Sequence, residues 1–516
     1  MEETAETLLE DDRAGATPGK TTEKSEDDAS ISIPQPLSTQ SSTSVARSKR
    51  WRGTRAILAG PSAGVYTLQR KRVILAVVSI TGVLGPLMGT IFSPALPDVE
   101  RDLSTTDVLA NLALTLSQVG MALSPLFWAP LSEKIGRRPV LLISQMVNIG
   151  GSVMAVLSPT IEVFLVARLV SAIGSGAGLV VGAAVVSDVF PTEERGRAMG
   201  VFMMGPLLGP AIAPPIGGVL ARFLGWRHIF TTTGVLACLI LLSTLFWLPE
   251  TNRDILEGRT SSAATSGGPP KPSAIKNLWT AITYQRKIFV CGPTILQGAV
   301  FGSYYAFPGS LPRDWQNIYS FNTAQVGLVV ATIGIGMVAG SLFGGWHADR
   351  QVRIWTQKRK VWVPEDRLRS QFLGAVTVPV GLLLYGFGIQ YRIPWGILII
   401  SLVLVGYGNM VISTCSSAYY MDTFGRSFAS INGVATCLRL IFSAVVAVVV
   451  VPGIAGMSHA GFFGLLAGIC VLTGTIVLAI VARGTEWRCA EEPWKSQPQS
   501  QAQLEAWRAT KKGIFG

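Results

Sequence analysis

Two arginines, Arg168 and Arg439, stand inside runs of apolar residues long enough to cross a lipid bilayer, and no Asp or Glu lies comparably deep. A buried guanidinium of this kind binds an anion or backbone carbonyls, or, near a surface, bends its charged end back to water. The same runs carry polar neutral groups: Gln118, Gln297, Tyr304, Tyr305, Tyr407, Asn409, Ser413 and Thr414. With the two arginines these are the candidate cavity and coupling residues. A carrier of cations normally keeps an acid in its cavity to replace the hydration of its cargo. This chain offers cations instead, which favours a neutral or anionic cargo over a polycation such as a polyamine. Its carboxylates (Asp98, Glu100, Glu162, Asp188, Asp349, Asp422) all fall near the ends of the runs. If protons are moved, Asp98 or Glu162 at one end and Asp188 at the other are available to titrate. Spacing singles out none of them.

A second constellation is charged and lies between runs. Glu133-Lys134-Ile135-Gly136-Arg137-Arg138 closes the second run, and Asp349-Arg350 closes the eighth. A carboxylate facing a basic loop makes a latch that is closed in one conformation and broken in another. A basic loop of this kind also fixes the direction of membrane insertion.

Other chemistries lack their residues. No HExxH or GxSxG occurs, and the three histidines, His228, His347 and His459, are far apart, so no enzyme is expected. Gly15-Ala-Thr-Pro-Gly-Lys-Thr21 is one residue short of a phosphate loop and has no strand before it, which removes an ATP-driven pump. Cys238, Cys291, Cys415, Cys437 and Cys470 lie in or beside apolar runs with no CxxC, so no disulfide framework, metal or cofactor is expected. The net charge of +12 comes from Lys and Arg clustered at run ends, the mark of membrane topology, and no nucleic acid is expected as a partner.

The elements that position these residues are membrane helices. Hydrophobic residues make up 49% of the chain and charged residues 14%, where a soluble domain carries about 25% charged residues to cover its surface. Apolar runs of spanning length fall near 73–94, 107–130, 140–158, 163–186, 199–220, 229–248, 288–310, 323–346, 371–390, 394–418, 428–451 and 461–482. The expected fold is therefore all-α, with twelve membrane spans. Residues 1–69 read as a disordered tail, 70–250 and 287–485 as two six-helix bundles, 251–286 as a linker and 486–516 as a second tail. Within the linker, Trp279, Ile282 and Tyr284 beside Lys276, Arg286 and Lys287 fit either a short interfacial helix or an unstructured approach to the next span. Lys and Arg concentrate in alternate connections, which places both termini in the cytoplasm. The cell membrane is the expected location, with a vacuolar or other internal membrane as the alternative.

The two bundles repeat each other. Ser-Pro-Ala-Leu-Pro (93–97) follows the first run and Pro-Gly-Ser-Leu-Pro (308–312) the seventh; Glu133-Lys134 answers Asp349-Arg350; Asp188 with Arg197 answers Asp422 with Arg426. Three correspondences in order mark a duplicated six-helix unit. Gly174, Gly178 and Gly182, like Gly336, Gly340 and Gly344, recur every four residues and permit close helix packing.

These motifs resemble a known family. Ala129-Pro-Leu-Ser-Glu-Lys-Ile-Gly-Arg-Arg-Pro139 is similar to the cytoplasmic loop signature of the major facilitator superfamily, with Glu133 for its usual Asp and Ala129 for its usual Gly. Arg168-Leu-Val-Ser-Ala-Ile-Gly-Ser-Gly-Ala-Gly178 resembles its fourth-helix motif. Gly205, Pro206, Gly209, Pro210, Gly217 and Gly218 resemble the antiporter motif of its exporters, with the Gly-Gly pair displaced toward the C-terminus. Trp226-Arg-His-Ile-Phe230, Leu248-Pro-Glu-Thr251, Pro364-Glu-Asp-Arg-Leu368, Tyr419-Tyr-Met-Asp-Thr-Phe-Gly425 and Arg439 are similar to fungal twelve-span drug:proton antiporters, the quinidine-resistance and dityrosine exporters among them. The resemblance implies a monomeric secondary exporter, in the lipid bilayer, of a small-molecule substrate against protons. Either drugs and secondary metabolites or one host-made organic acid or metabolite fits as cargo.

Overall fold

The structure is a computed structural model describing residues 66–190, 192–252, 255, 274–424, 428–491, 501, 503–505, 507 and 508. The expected N-terminal tail, apart from its last residues, lies outside the described residues. So do the Ser/Gly/Pro-rich part of the linker and most of 486–516.

Every regular element among the described residues is helical. In chain order they are α1 (Leu68–Thr90), α2 (Leu96–Asp102), α3 (Asp107–Ile135), α4 (Arg137–Val156), α5 (Ile161–Val189), α6 (Thr192–Leu224), α7 (Arg227–Trp247), α8 (Ala274–Gln285), α9 (Ile288–Tyr319), α10 (Thr323–Arg359), α11 (Gln371–Gln390), α12 (Trp395–Phe424) and α13 (Phe428–Cys489). Short 3-10 turns at Ser93–Ala95 and Pro364–Ser370 precede α2 and α11. Local sequence sets several starts. Thr106 accepts a bond from Leu109 N at the head of α3, and Asn322 with Gln325 makes a reciprocal capping box at the head of α10 (both bonds 2.9 Å).

Ten described helical stretches are long and apolar enough to cross a membrane. The remaining two expected runs are helical as well. The twelfth follows the eleventh across a break in the backbone at Ser458 (φ 67°, ψ 168°), so two helices share the label α13. The seventh run, α9, is 32 residues long but spends its middle on buried polar side chains, among them Gln297, Ser303, Tyr304 and Tyr305.

The duplication read from the sequence reappears in the packing. In the first half α1 packs on α5 and α6, α3 on α5, and α4 on α5 and α7. In the second half α9 packs on α13, α10 on α12, and α11 on α12 and α13. The halves meet where α6 crosses α10 and α3 crosses α13. Large apolar side chains such as Phe127, Phe246, Leu342 and Leu472 lie exposed on the outside. Water would penalise such a surface, but hydrocarbon does not. The glycine stripes sit at helix crossings: Gly336, Gly340 and Gly344 of α10 lie against the backbone of α12 at Val403, Tyr407 and Val411. A Cβ at Gly344 would come 3.0 Å from Val411 Cα, so the crossing needs a bare backbone.

Candidate functional site

The site has three tiers: the end carrying loop 131–139, the centre, and the opposite end.

At the loop end, Gly136 (φ +110°) ends α3 and lets the chain turn into α4, a conformation costly for other residues. The first turn of α4 leaves backbone N–H groups without helical partners. Glu250, just beyond α7, fills that need: it accepts from Arg137 N at 2.9 Å, Arg138 N at 3.1 Å, and Thr251 N and Asn252 N at 2.9 Å. Asn252 Nδ2 then donates to the carbonyls of Ser132 and Glu133. The Arg137 side chain donates to Asp188 Oδ2 at 3.1 Å and to Ser132 Oγ at 2.6 Å, tying α4 to the end of α5. Arg138 Nη2 donates to Leu245 O at 2.6 Å.

These contacts revise the expected latch. Glu133 is exposed, and its carboxylate makes no ion pair among the described residues; nor does Lys134. Asp188 takes Arg137 instead. In the second half Asp349 pairs with Arg367 at 2.7 Å rather than with its neighbour Arg350, whose guanidinium lies over the Trp346 ring. Neighbours in sequence on a helix point about 100° apart, so partners come from other elements. Arg367 also pairs with Asp422, the counterpart of Asp188. Two buried acids of the same turn make three more pairs: Asp366 with Arg359 (3.0 Å) and Arg369 (2.9 Å), and Glu365 with Arg488 (2.7 Å). Pro364-Glu-Asp-Arg-Leu368 is thus the charge hub of the second half, which its composition alone does not disclose.

At the centre, the structure brings most of the candidates together. Arg168 of α5 is buried, donates from Nη2 to Met88 O at 2.8 Å, and lies over the rings of Phe92 (4.3 Å) and Phe230 (5.4 Å). Phe230 is held by edge contacts with Phe164 and Trp226, so the Trp226–Phe230 motif builds the wall behind the arginine. From the other half, Arg439 of α13 donates from Nη1 to Ser413 Oγ at 2.9 Å and lies 4.5 Å above the Phe301 ring. Ser413 also accepts from Gln297 Nε2 at 2.9 Å. Tyr305 of α9 packs against Phe301, the ring that lies under Arg439, with centroids 5.2 Å apart. Its hydroxyl and the Gln118 amide of α3 crowd the same spot on α1, lying 3.5 and 3.2 Å from where a Cβ of Gly89 would be. Tyr304 stacks edge-on against Tyr305, with centroids 4.9 Å apart. Among the described residues, the Asn409 amide nitrogen and the Nε of each arginine are buried without a hydrogen-bond partner.

Tyr407 is not part of this group. Its backbone forms the α12 side of the α10 crossing, and its ring faces Phe343 at 6.0 Å. Asn409 and Ser413, four residues apart, share the other face of α12.

At the opposite end the halves are tied to each other. Arg313 of α9 donates from Nε to Glu100 of α2 at 3.0 Å, pairs with Asp107 at 3.4 Å, and donates from Nη2 to Asp107 O at 3.2 Å. Ser93 Oγ donates to Pro308 O at 3.0 Å, and Thr323 Oγ1 to Asp98 Oδ2 at 3.2 Å. Of the antiporter-type glycines of α6, Gly218 reaches this seam and the others pack on α1 and Ile91 of their own half. Pro206 and Pro210 lie inside one continuous helix. Gly205 and Gly209 lie against Ser79, Val83 and Leu87 of α1, Gly217 faces the carbonyl of Ile91, and Gly218 meets Thr323 and Gly327 of α10. A Cβ at Gly218 would approach Thr323 O to 2.7 Å. Gly218→Val is therefore expected to pry α6 from α10 and cost about 1–3 kcal/mol in the state seen here, read as a lower melting temperature in detergent.

Residues 78–447 match the profile of the Major Facilitator Superfamily. The chain belongs to this superfamily. Superfamily relatives include the MFS transporter fsa7 of Fusarium sp. (strain FN080326), 31% identical over 71% of this chain and 74% of that one. The efflux pump radE of Floropilus chiversii is 29% identical over 72% of each chain, and citrate exporter 1 of Aspergillus niger is 25% identical over 84% of this chain and 89% of that one. Among solved structures, the xylose transporter XylE from E. coli, in a partially occluded inward-open conformation, superposes with a TM-score of 0.60 at 15% identity. That match covers 80% of this chain and 98% of XylE. The superfamily fold explains the tiers: six-helix halves related by a repeat, with a polar centre where they meet. The chain is accordingly a multi-pass membrane transporter.

Proposed function

We propose that this transporter exports a small organic molecule by alternating access, in exchange for protons. The observation that carries the reading is the asymmetry of its ties. Among the described ion pairs, those joining the halves, Arg313 with Glu100 and Asp107, lie at the end away from loop 131–139. Those at the loop end, Arg137 with Asp188 and Arg367 with Asp349 and Asp422, stay within one half. Basic loops face the cytoplasm by the positive-inside rule, so this conformation is sealed outside and released inside, ready to take cargo from the cell. The antiporter-type residues of α6 and the relatives named as an efflux pump and a citrate exporter favour outward transport. The buried arginines and the lack of a deep acid favour neutral or anionic cargo.

Two cargo classes fit this site: many unrelated toxins, or one metabolite made by the host cell. Export profiling separates them. With the gene deleted, loss of a single secreted product is expected for a dedicated exporter, and hypersensitivity to several unrelated toxins for a drug pump. If neither extracellular metabolites nor toxin sensitivity changes on deletion, export is not its work. Dissipating the proton gradient is expected to stop export; persistence would remove proton coupling.

A further inference from the structure

We infer that Arg168 and Arg439, one from each half, form an anion site for an organic carboxylate, with Tyr305 between them. This rests on the transporter reading and names the cargo class it left open. Two positive charges buried near one hydroxyl repel each other and have lost their hydration. Proteins commonly offset such charges with carboxylates, as the same chain does for Arg359, Arg367 and Arg488 at the loop end. Here the described residues supply none. Arg168 has a backbone carbonyl and two rings, Arg439 a serine hydroxyl and one ring, and the ionisable groups acting on them are Tyr305 and Cys437. A negative charge brought by a bound anion would supply what the described residues do not.

The stacking geometry also shapes the anion. Phe92 and Phe301 cover one face of each guanidinium, so the remaining donors lie in its plane and reach a partner edge-on. A planar carboxylate accepts such bonds in pairs, whereas a neutral amide has no charge to offer and a protonated amine is repelled. The buried amides of Gln118 and Asn409, and the rings of Tyr304 and Tyr305, supply polar and apolar surface for the rest of the molecule. Because each half contributes one arginine, an anion held by both favours the conformations that bring the halves together, as alternating access requires.

The test uses the purified full-length chain in detergent, its melting temperature, and three carboxylates (benzoate, hippurate and citrate), with benzamide and benzylamine as neutral and cationic controls. At least one carboxylate is expected to raise the melting temperature in a concentration-dependent way, with no shift from the controls. Arg439→Met and Arg168→Met should weaken that carboxylate at least about thirtyfold, as removal of one partner of a buried charged pair does. Arg439→Met without ligand should melt no lower than the unaltered chain, since an apolar side chain of similar length replaces an uncompensated charge. Arg439→Lys should retain part of the carboxylate response. The inference is overturned if no carboxylate shifts the melting temperature, if benzamide shifts it equally, or if Arg439→Met leaves the carboxylate affinity unchanged. Binding is read without transport, so a chain that binds carboxylates but exports nothing from cells defeats the export reading alone. Export of a neutral product with no carboxylate binding defeats this inference alone.

Discussion

Replacing Glu250 by alanine is expected to destabilise the first half by about 2–4 kcal/mol and to free the loop between α3 and α4. The carboxylate is buried and accepts four backbone N–H groups, two of them at the head of α4, where the helix dipole also favours an anion. Alanine leaves all four without their acceptor and removes the anchor between the end of α7 and the start of α4. Glu250→Gln should recover part of the loss, because its carbonyl oxygen still accepts while the charge is gone. Melting in detergent measures the stability. Faster proteolysis within 131–139 in Glu250→Ala than in the unaltered chain measures the loosened loop. An alanine variant that melts like the unaltered chain would show that water replaces the carboxylate at little cost.

The second half is tied at the matching place, by an ion pair instead of by backbone N–H groups. There the helix after the turn, α11, is preceded by Glu365, and the end of α13 supplies Arg488. In the first half the acid comes from the end of α7 and the receiving groups from the start of α4. The duplicated scaffold has kept the position of the contact and not its chemistry. The central arginines differ in the same way, since Arg168 sits on α5 and Arg439 on α13, which are not repeat partners. The repeat therefore dictates where the halves are tied, while the site between them is free to be asymmetric, as a site for an asymmetric organic molecule must be.

What the sequence disclosed follows from what each signal depends on. Span-length apolar runs, basic loops and glycine spacing are local, and they yielded a helical membrane protein with a repeated half. Arg168, Arg439, Gln118, Gln297, Tyr304, Tyr305 and Asn409 were legible because a polar group in hydrocarbon is costly wherever it points. Tyr407 met the same criterion, and only the α10–α12 crossing reveals that it serves helix packing. The ion pairs were not legible, because partners such as Glu365 with Arg488 and Glu100 with Arg313 lie over a hundred residues apart at run ends, where charges are cheap. Helix geometry turns the adjacent charges Glu133-Lys134 and Asp349-Arg350 apart, and the pairs observed are Arg137 with Asp188 and Arg367 with Asp349.

Arg313→Ala is expected to shift the transporter toward the conformation open at the end away from loop 131–139. Arg313 and Glu100 are both mostly buried, and each is the other's main charge partner across the halves. Breaking such a tie destabilises the state that contains it. Because the opposite state lacks the contact, about 1–3 kcal/mol lost here becomes roughly a 5- to 150-fold change in the ratio of the two conformations. Ser310, buried one turn from Arg313 on α9, reports the change. With Ser310→Cys in a background lacking the exposed Cys238, a water-soluble maleimide should label the site at least about five times faster after Arg313→Ala. Glu100→Ala should do the same, and the two changes together should add little to either alone, because they remove one interaction. Equal labelling rates with and without Arg313 would mean that Ser93–Pro308, Asp98–Thr323 and the α6–α10 crossing hold the seal, and that the ion pair follows closure rather than maintaining it.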